Sequence, residues 1–272
     1  MNIDPIDEGF LSHGPVQGGN VLVSRDRVAL WWLATECIAP GDWEVLAGLL
    51  SPEERTRAAR FHFERDRHSY ILAHALCRSL LAFCTGRRPC DFSFETGDHG
   101  KPEVIAGPGG IRLRINISHT RGMAAAALTV DHDIGVDVEW LDRNVGAIAV
   151  AESHFAPCEQ AVLAAAPETR KVETFLAFWT LKEAYVKAIG KGLSQPLQAF
   201  SFQLEDCTIR FDDALGDDPA LWRFVRPDPG RDHTLALAMR HPHPLTLEIC
   251  GGPAPLDQVL ALAIGGGQMS RR

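Results

Sequence analysis

Two long stretches free of helix breakers constrain this chain more than any other feature. The first runs from Arg55 to about Phe83. It is arginine-rich early and apolar later (Tyr70, Ile71, Leu72, Leu76, Leu80, Leu81), and Gly86 and Pro89 stop it. The second spans residues 171–189. Ahead of the first, Ser51-Pro52-Glu53-Glu54 sets Ser at the N-cap, proline at the first helical position and an acid at the third. That pattern predicts a helix, a short break near His62, and a second helix. The remaining apolar residues fall mostly into short runs typical of strands, at 28–33, 112–117, 124–130, 134–140, 200–204, 208–211, 222–225, 235–239 and 245–249, with a shorter helix near 157–165. Helices and strands do not alternate as βαβ units, which favours an α+β fold over a doubly wound sheet. Asp131-His132-Asp133 reads as a turn after which the pattern restarts.

With 272 residues the chain has length for about two domains. Residues 1–20 read as a loose arm, 21–132 and 133–250 as two halves, and 251–272 as a tail. The net charge of −8 argues against a general attraction to nucleic acid or anionic membrane, so any polyanion it binds must meet a local basic patch. No apolar run approaches the ~20 residues of a membrane span. The acidic first eight residues lack the basic start and apolar core of a signal peptide. The seven cysteines contain no C-x-x-C pair, so reduced thiols in a cytoplasm are expected.

Four constellations carry candidate chemistry. In Ile134-Gly135-Val136-Asp137-Val138-Glu139-Trp140, alternation puts Gly135, Asp137 and Glu139 on one face. Two carboxylates two residues apart on a strand lie about 7 Å apart at the backbone, which suits an oxygen-loving cation such as Mg²⁺. A solvated strand face would look the same. Gly135 permits close approach by a ligand. In Trp179-Thr180-Leu181-Lys182-Glu183-Ala184-Tyr185-Val186-Lys187, Glu183 and Lys187 are i,i+4 neighbours on the stripe of Trp179. They form either a routine surface pair or a charge pair at a cleft edge. Asn116-Ile117-Ser118-His119-Thr120 follows a strand, and its polar donors can hold phosphate oxygens or cap an ordinary turn. Arg55, Arg57, Arg60, Arg65 and Arg67, with Gly100-Lys101-Pro102 further on, are the densest basic stretch of an acidic chain.

Taken in order, these motifs resemble the Sfp-type (surfactin-synthetase-activating) 4′-phosphopantetheinyl transferases over roughly residues 51–192. The resemblance implies two similar α+β halves in a pseudo-two-fold arrangement, with coenzyme A and Mg²⁺ in the cleft between them. It implies a monomer that moves the phosphopantetheine arm of coenzyme A onto a serine of an acyl or peptidyl carrier protein and releases adenosine 3′,5′-bisphosphate. By motif, Asp137, Glu139 and Glu183 fall on the metal-binding acids, with Glu183 also the base for the serine proton. Lys187 falls on the lysine that steadies the pyrophosphate. Arg57, Gly100, Lys101, Asn116, Ser118 and His119 fall on coenzyme-binding positions. Glu54 departs from the pattern, standing at a helix position that is basic in some relatives. The competing readings are a binding module that keeps the fold without turnover and a Mg²⁺-dependent phosphohydrolase of another fold. The intact D-x-E and K-E-x-x-x-K argue against the first, and no accompanying motif supports the second.

Overall fold

The computed structural model describes residues 23–96, 102–105, 111–141, 147–230 and 232–265. The expected 1–20 arm, Gly100 and Lys101 lie outside these described residues. Strand β1 (Arg27–Ala34) leads into helix α1 (Asp42–Ala47), then α2 (Pro52–Ala58) and α3 (Glu64–Thr85). The expected cap at Ser51 forms, with its side chain accepting the Glu54 N–H and the Glu54 carboxylate accepting the Ser51 N–H. The expected break near His62 is the gap between α2 and α3. At its far end α3 stops on Gly86, whose φ of 71° is the left-handed conformation that glycine adopts without penalty.

A short hairpin, β2 (Phe94–Thr96) and β3 (Pro102–Val104), precedes the antiparallel strands β4 (Leu113–Thr120) and β5 (Met123–Val130). β5 runs at the centre of the first sheet, between β4 and β1, and its Ala124-Ala125-Ala126-Ala127 run is wholly buried. Small side chains there let layers close in from both sides. Ala124 and Ala126 face α3 in one core with Trp31, Leu76 and Leu128. Ala125 and Ala127 face a second core with Leu30, Val136 and Leu237.

After the turn at 131–133 the chain forms β6 (Ile134–Trp140), α4 (Ala147–His154), α5 (Pro157–Ala165) and α6 (Lys171–Ile189). The strands β7 (Phe200–Gln203), β8 (Thr208–Phe211), β9 (Trp222–Val225) and β10 (His233–Arg240) follow. β6, β10 and β9 make a second sheet, and α6 packs on the face of it that bears Gly135, Ala236 and Ala238. The layers therefore run α3, first sheet, second sheet, α6.

The end of the chain corrects the sequence reading. The strand expected at 245–249 is β11 (Glu248–Pro253), which pairs in parallel with β1, and residues 256–265 of the expected tail form α7 (Leu256–Gly265). Val259 of that helix is fully buried in the first core. Gly-Gly-Pro reads locally as a breaker, but Gly251 lies where a Cβ would stand 3.1 Å from the Leu30 carbonyl oxygen. Pro253 is tolerated because β11 is an edge strand.

Candidate active site

The two sheets meet where β4 lies against β6, and β4 serves both sides. Its odd-numbered residues turn toward α3: Leu113 and Ile115 enter the first core, while Ile117 and His119 line a groove on that side. Its even-numbered residues turn toward β6. There the Asn116 side-chain oxygen accepts the Val136 N–H (2.8 Å), Ser118 Oγ accepts the Val138 N–H (3.4 Å) and Thr120 Oγ1 accepts the Trp140 N–H (3.4 Å). Side chains thus satisfy alternate N–H groups on the edge of β6 that backbone pairing leaves open.

On its other face β6 meets α6 backbone to backbone. A Cβ on Gly135 would lie 2.5 Å from the Ala188 nitrogen and closer still to the Ala184 carbonyl oxygen. The sequence reading gave this glycine to an approaching ligand; what approaches is a helix. That contact carries Glu183 and Lys187 to the acids of β6. Lys187 Nζ lies 2.5 Å from Asp137 Oδ1 and 2.9 Å from Ser118 Oγ. Ser118 in turn donates to Asp137 Oδ1 (3.0 Å). With one proton donated and two accepted, the Ser118 hydroxyl is fully engaged.

The acids strain against one another. Burial and then the Asp137 charge push Glu139 up to about 7, against opposing help from Thr120 and Lys187. Burial and Asp137 likewise raise Glu183, opposed by Lys187 and His154. Asp137 Oδ2 is buried without a hydrogen-bond partner among the described residues. Three carboxylates with one orphaned oxygen and two held above their ordinary range form an oxygen donor set that a hard divalent cation relieves. Among the described residues no group of three or more His, Cys, Asp or Glu side chains is placed to hold a metal ion.

On the α3 side of β4, a groove of about 1110 Å³ is lined by Arg57, Tyr70, His74, Arg78 and His119, among others. The basic stretch resolves here. Arg55 donates to the Leu50 carbonyl, and Arg65 and Arg67 lie beside acids of their own helix, Asp66 and Glu64. Arg57 faces the groove, its guanidinium 5.8 Å from the Tyr70 ring centre. Desolvation, followed by the Lys187 charge, holds His119 below its ordinary range. Glu54 is bound into the wall by Arg78 (2.7 Å) and His74 (3.1 Å).

Three residues were missed from the sequence. Glu159 and Lys182 form a fully buried ion pair (2.8 Å) joining α5 to α6; Lys182 also donates to the Leu197 and Phe200 carbonyls at 2.7 Å each. A lysine inside an apolar helical stripe was the available signal. Thr120 closes the Asn116–Thr120 motif, and nothing in that motif alone gives it a role. Trp179 stacks on Phe175 (5.8 Å) at the edge of the core between α6 and the second sheet, as its stripe suggested.

Comparison with known proteins agrees with this layout. A family model described as the 4′-phosphopantetheinyl transferase superfamily matches residues 133–238. A second, described as 4′-phosphopantetheinyl transferase, N-terminal, matches residues 37–130. A 4′-phosphopantetheinyl transferase of Bacillus subtilis is 31% identical over 209 residues, covering 75% of this chain and 88% of that protein. The transferase HetI of Nostoc is 31% identical, covering 65% of this chain and 74% of its own length. The transferase Sfp of Bacillus subtilis strain 168 is 28% identical, covering 73% and 86%.

Proposed function

We propose a working order for this site from one premise: the chain belongs to the 4′-phosphopantetheinyl transferase superfamily. It is an enzyme of the holo-carrier-protein synthase type, and it transfers phosphopantetheine from coenzyme A to carrier proteins.

The observation that carries the assignment of roles is the meeting of Lys187 with Asp137 across the Gly135 contact, beside an orphaned carboxylate oxygen. Asp137, Glu139 and Glu183 are the proposed Mg²⁺ donors. Mg²⁺ there would neutralise charge on the pyrophosphate and polarise its oxygens. Arg57 and His119, at the groove, are assigned to the coenzyme 3′-phosphate, where a bound anion would favour the protonated imidazole. Gly100 and Lys101 belong to the same proposed coenzyme set. Asn116 and Ser118 support it from the seam, Ser118 by exchanging its bond from Lys187. Lys187 leaves Ser118 and Asp137 to hold the pyrophosphate.

In the transfer step the serine oxygen of an acyl or peptidyl carrier protein attacks the phosphorus bearing the pantetheine. A new O–P bond forms, and the bond from that phosphorus to the bridging oxygen breaks. Glu183, held above its ordinary range, accepts the serine proton. Adenosine 3′,5′-bisphosphate leaves with Lys187 beside its departing oxygen. Attack on an anionic phosphorus depends on positioning and charge neutralisation, which is what these residues supply.

The finer architecture belongs to the same proposal. Residues 21–132 and 133–250 are two similar α+β halves in a pseudo-two-fold arrangement, with the site in the cleft between them. In support, each has one long helix laid on an antiparallel strand pair, and the two family matches divide between 130 and 133. Residues 248–250 are the exception, crossing back to β1. The enzyme is proposed to act as a cytoplasmic monomer, without nucleic acid or membrane. Among the described residues no helix is long and apolar enough to cross a bilayer.

The test is transfer itself. Wild-type protein with coenzyme A, Mg²⁺ and apo-carriers should add one phosphopantetheine to the carrier, read by intact mass. Glu183→Gln should fold, bind carrier, and lose at least ~10²-fold in rate. A near wild-type rate for that variant under saturating Mg²⁺ would remove both roles from Glu183.

A further inference from the structure

We propose that Thr120 is a positioning residue that sets Glu139 for its work. One hydroxyl makes two bonds to neighbouring parts of β6: it donates to Glu139 Oε2 (3.2 Å) and accepts the Trp140 N–H (3.4 Å). A hydroxyl has one proton and two lone pairs, so both bonds form at once without competition. The side chain of Glu139 and the backbone just after it are thereby tied to the same oxygen of β4.

The neighbours show why this bond matters at this position. Asp137 is gripped by Ser118 and Lys187 together, whereas Glu139 lies at the open end of the seam beside half-buried Trp140. Thr120 is the donor the structure gives to the Glu139 carboxylate. It holds that carboxylate against the charges of Asp137 and Glu183, which push it away. A carboxylate that must meet a cation gains by being aimed beforehand, because a hydrogen bond to one oxygen fixes the direction of the other. The second bond fixes the strand end from which Glu139 springs. Threonine rather than serine suits the place, since its branched Cβ restricts χ1 and holds the hydroxyl toward β6.

This inference rests on the reading of Glu139 as a Mg²⁺ donor, and the experiment separates the two. Thr120→Val keeps the shape and removes both bonds; Thr120→Ser keeps the hydroxyl. Each is compared with wild type, Glu139→Gln and the double variant Thr120→Val/Glu139→Gln. Two readouts are taken: the apparent KM for Mg²⁺ in the transfer assay, and Mn²⁺ binding to the coenzyme-A-loaded protein by electron paramagnetic resonance. Thr120→Val should weaken metal by about 10- to 100-fold, the range for removing an outer partner of a metal ligand. The rate at saturating Mg²⁺ should fall far less. Thr120→Ser should restore metal affinity to within about threefold of wild type. In the double variant the Thr120 effect should vanish, because Glu139 no longer transmits it. Wild-type metal affinity in Thr120→Val, failure of serine to rescue, or full additivity in the double variant each overturns the role of Thr120. Wild-type metal affinity in Glu139→Gln instead overturns the donor reading on which it rests.

Discussion

At the scale of single residues, Glu54 shows how an apparent departure acquires a structural purpose. The resemblance places a basic side chain there in some relatives, whereas here the carboxylate closes the cap of α2 and accepts from Arg78 and His74 on α3. Burial alone would raise its pKa, but the hydrogen bonds from His74, Arg78 and the Ser51 N–H outweigh it and hold it near 2. A depressed carboxylate stabilises the fold above its unfolded pKa and loses that contribution as pH falls through the folded value. The window here runs from the ordinary 4.5 down to about 2. A shift of that size corresponds to about 3 kcal/mol, as an order of magnitude. Urea denaturation of wild type and Glu54→Gln should therefore show a constant gap above pH 5 that closes as pH approaches 2. A gap of the same size at pH 3 and pH 7 would show that the charge of Glu54 is not what stabilises this wall.

At the scale of elements, the contact between β6 and α6 fixes the site. Gly135→Ala would press a methyl onto the backbone of Ala184 and Ala188, where neither atom is free to yield. The expected cost is about 1–3 kcal/mol in denaturation, as for overpacked cores. Transfer should fall as well, since moving α6 outward carries Glu183 and Lys187 together away from the acids of β6. A variant with wild-type stability and rate would show that the helix can slide without consequence. Elements of this kind were legible in the sequence where their pattern is local. The alternation of 134–140, the cap at Ser51 and the long stretch at 171–189 each formed as the residues suggested. The D-x-E pair and Glu183 with Lys187 could be read because period alone puts them on shared faces. What could not be read were partners set by tertiary contact. Asn116 and Thr120 satisfy N–H groups of β6, Glu159 meets Lys182, and Gly135 faces a helix rather than a ligand. The extension of β11 beyond 249 was missed for the same reason, because Gly251 and Gly252 reveal a strand only once β1 stands beside them.

At the scale of the whole molecule, the last described elements pack on the first sheet rather than the second. The second sheet is complete with β10, after which residues 248–265 return to the first sheet and lay α7 against it. The family matches stop at residue 238, so this return lies beyond both of them. Its packing is nonetheless integral: Ala254 and Val259 are buried in the core that holds Leu46 and Leu76, and Leu262 and Ala263 line the groove assigned to coenzyme A. Val259→Ala removes two buried carbons and leaves a void, a cost of about 2 kcal/mol. That is a large part of the 5–15 kcal/mol by which domains are typically stable. Ending the chain after Pro253 goes further, taking away the helix while keeping β11. This truncation should lower Tm more than Val259→Ala does and speed hydrogen exchange in β1 and α3 before α6. It should also weaken coenzyme A binding, because one wall of the groove is gone. A truncated protein with wild-type Tm and coenzyme affinity would mean that α7 is an ornament on the first half, and that the core beneath it closes without help.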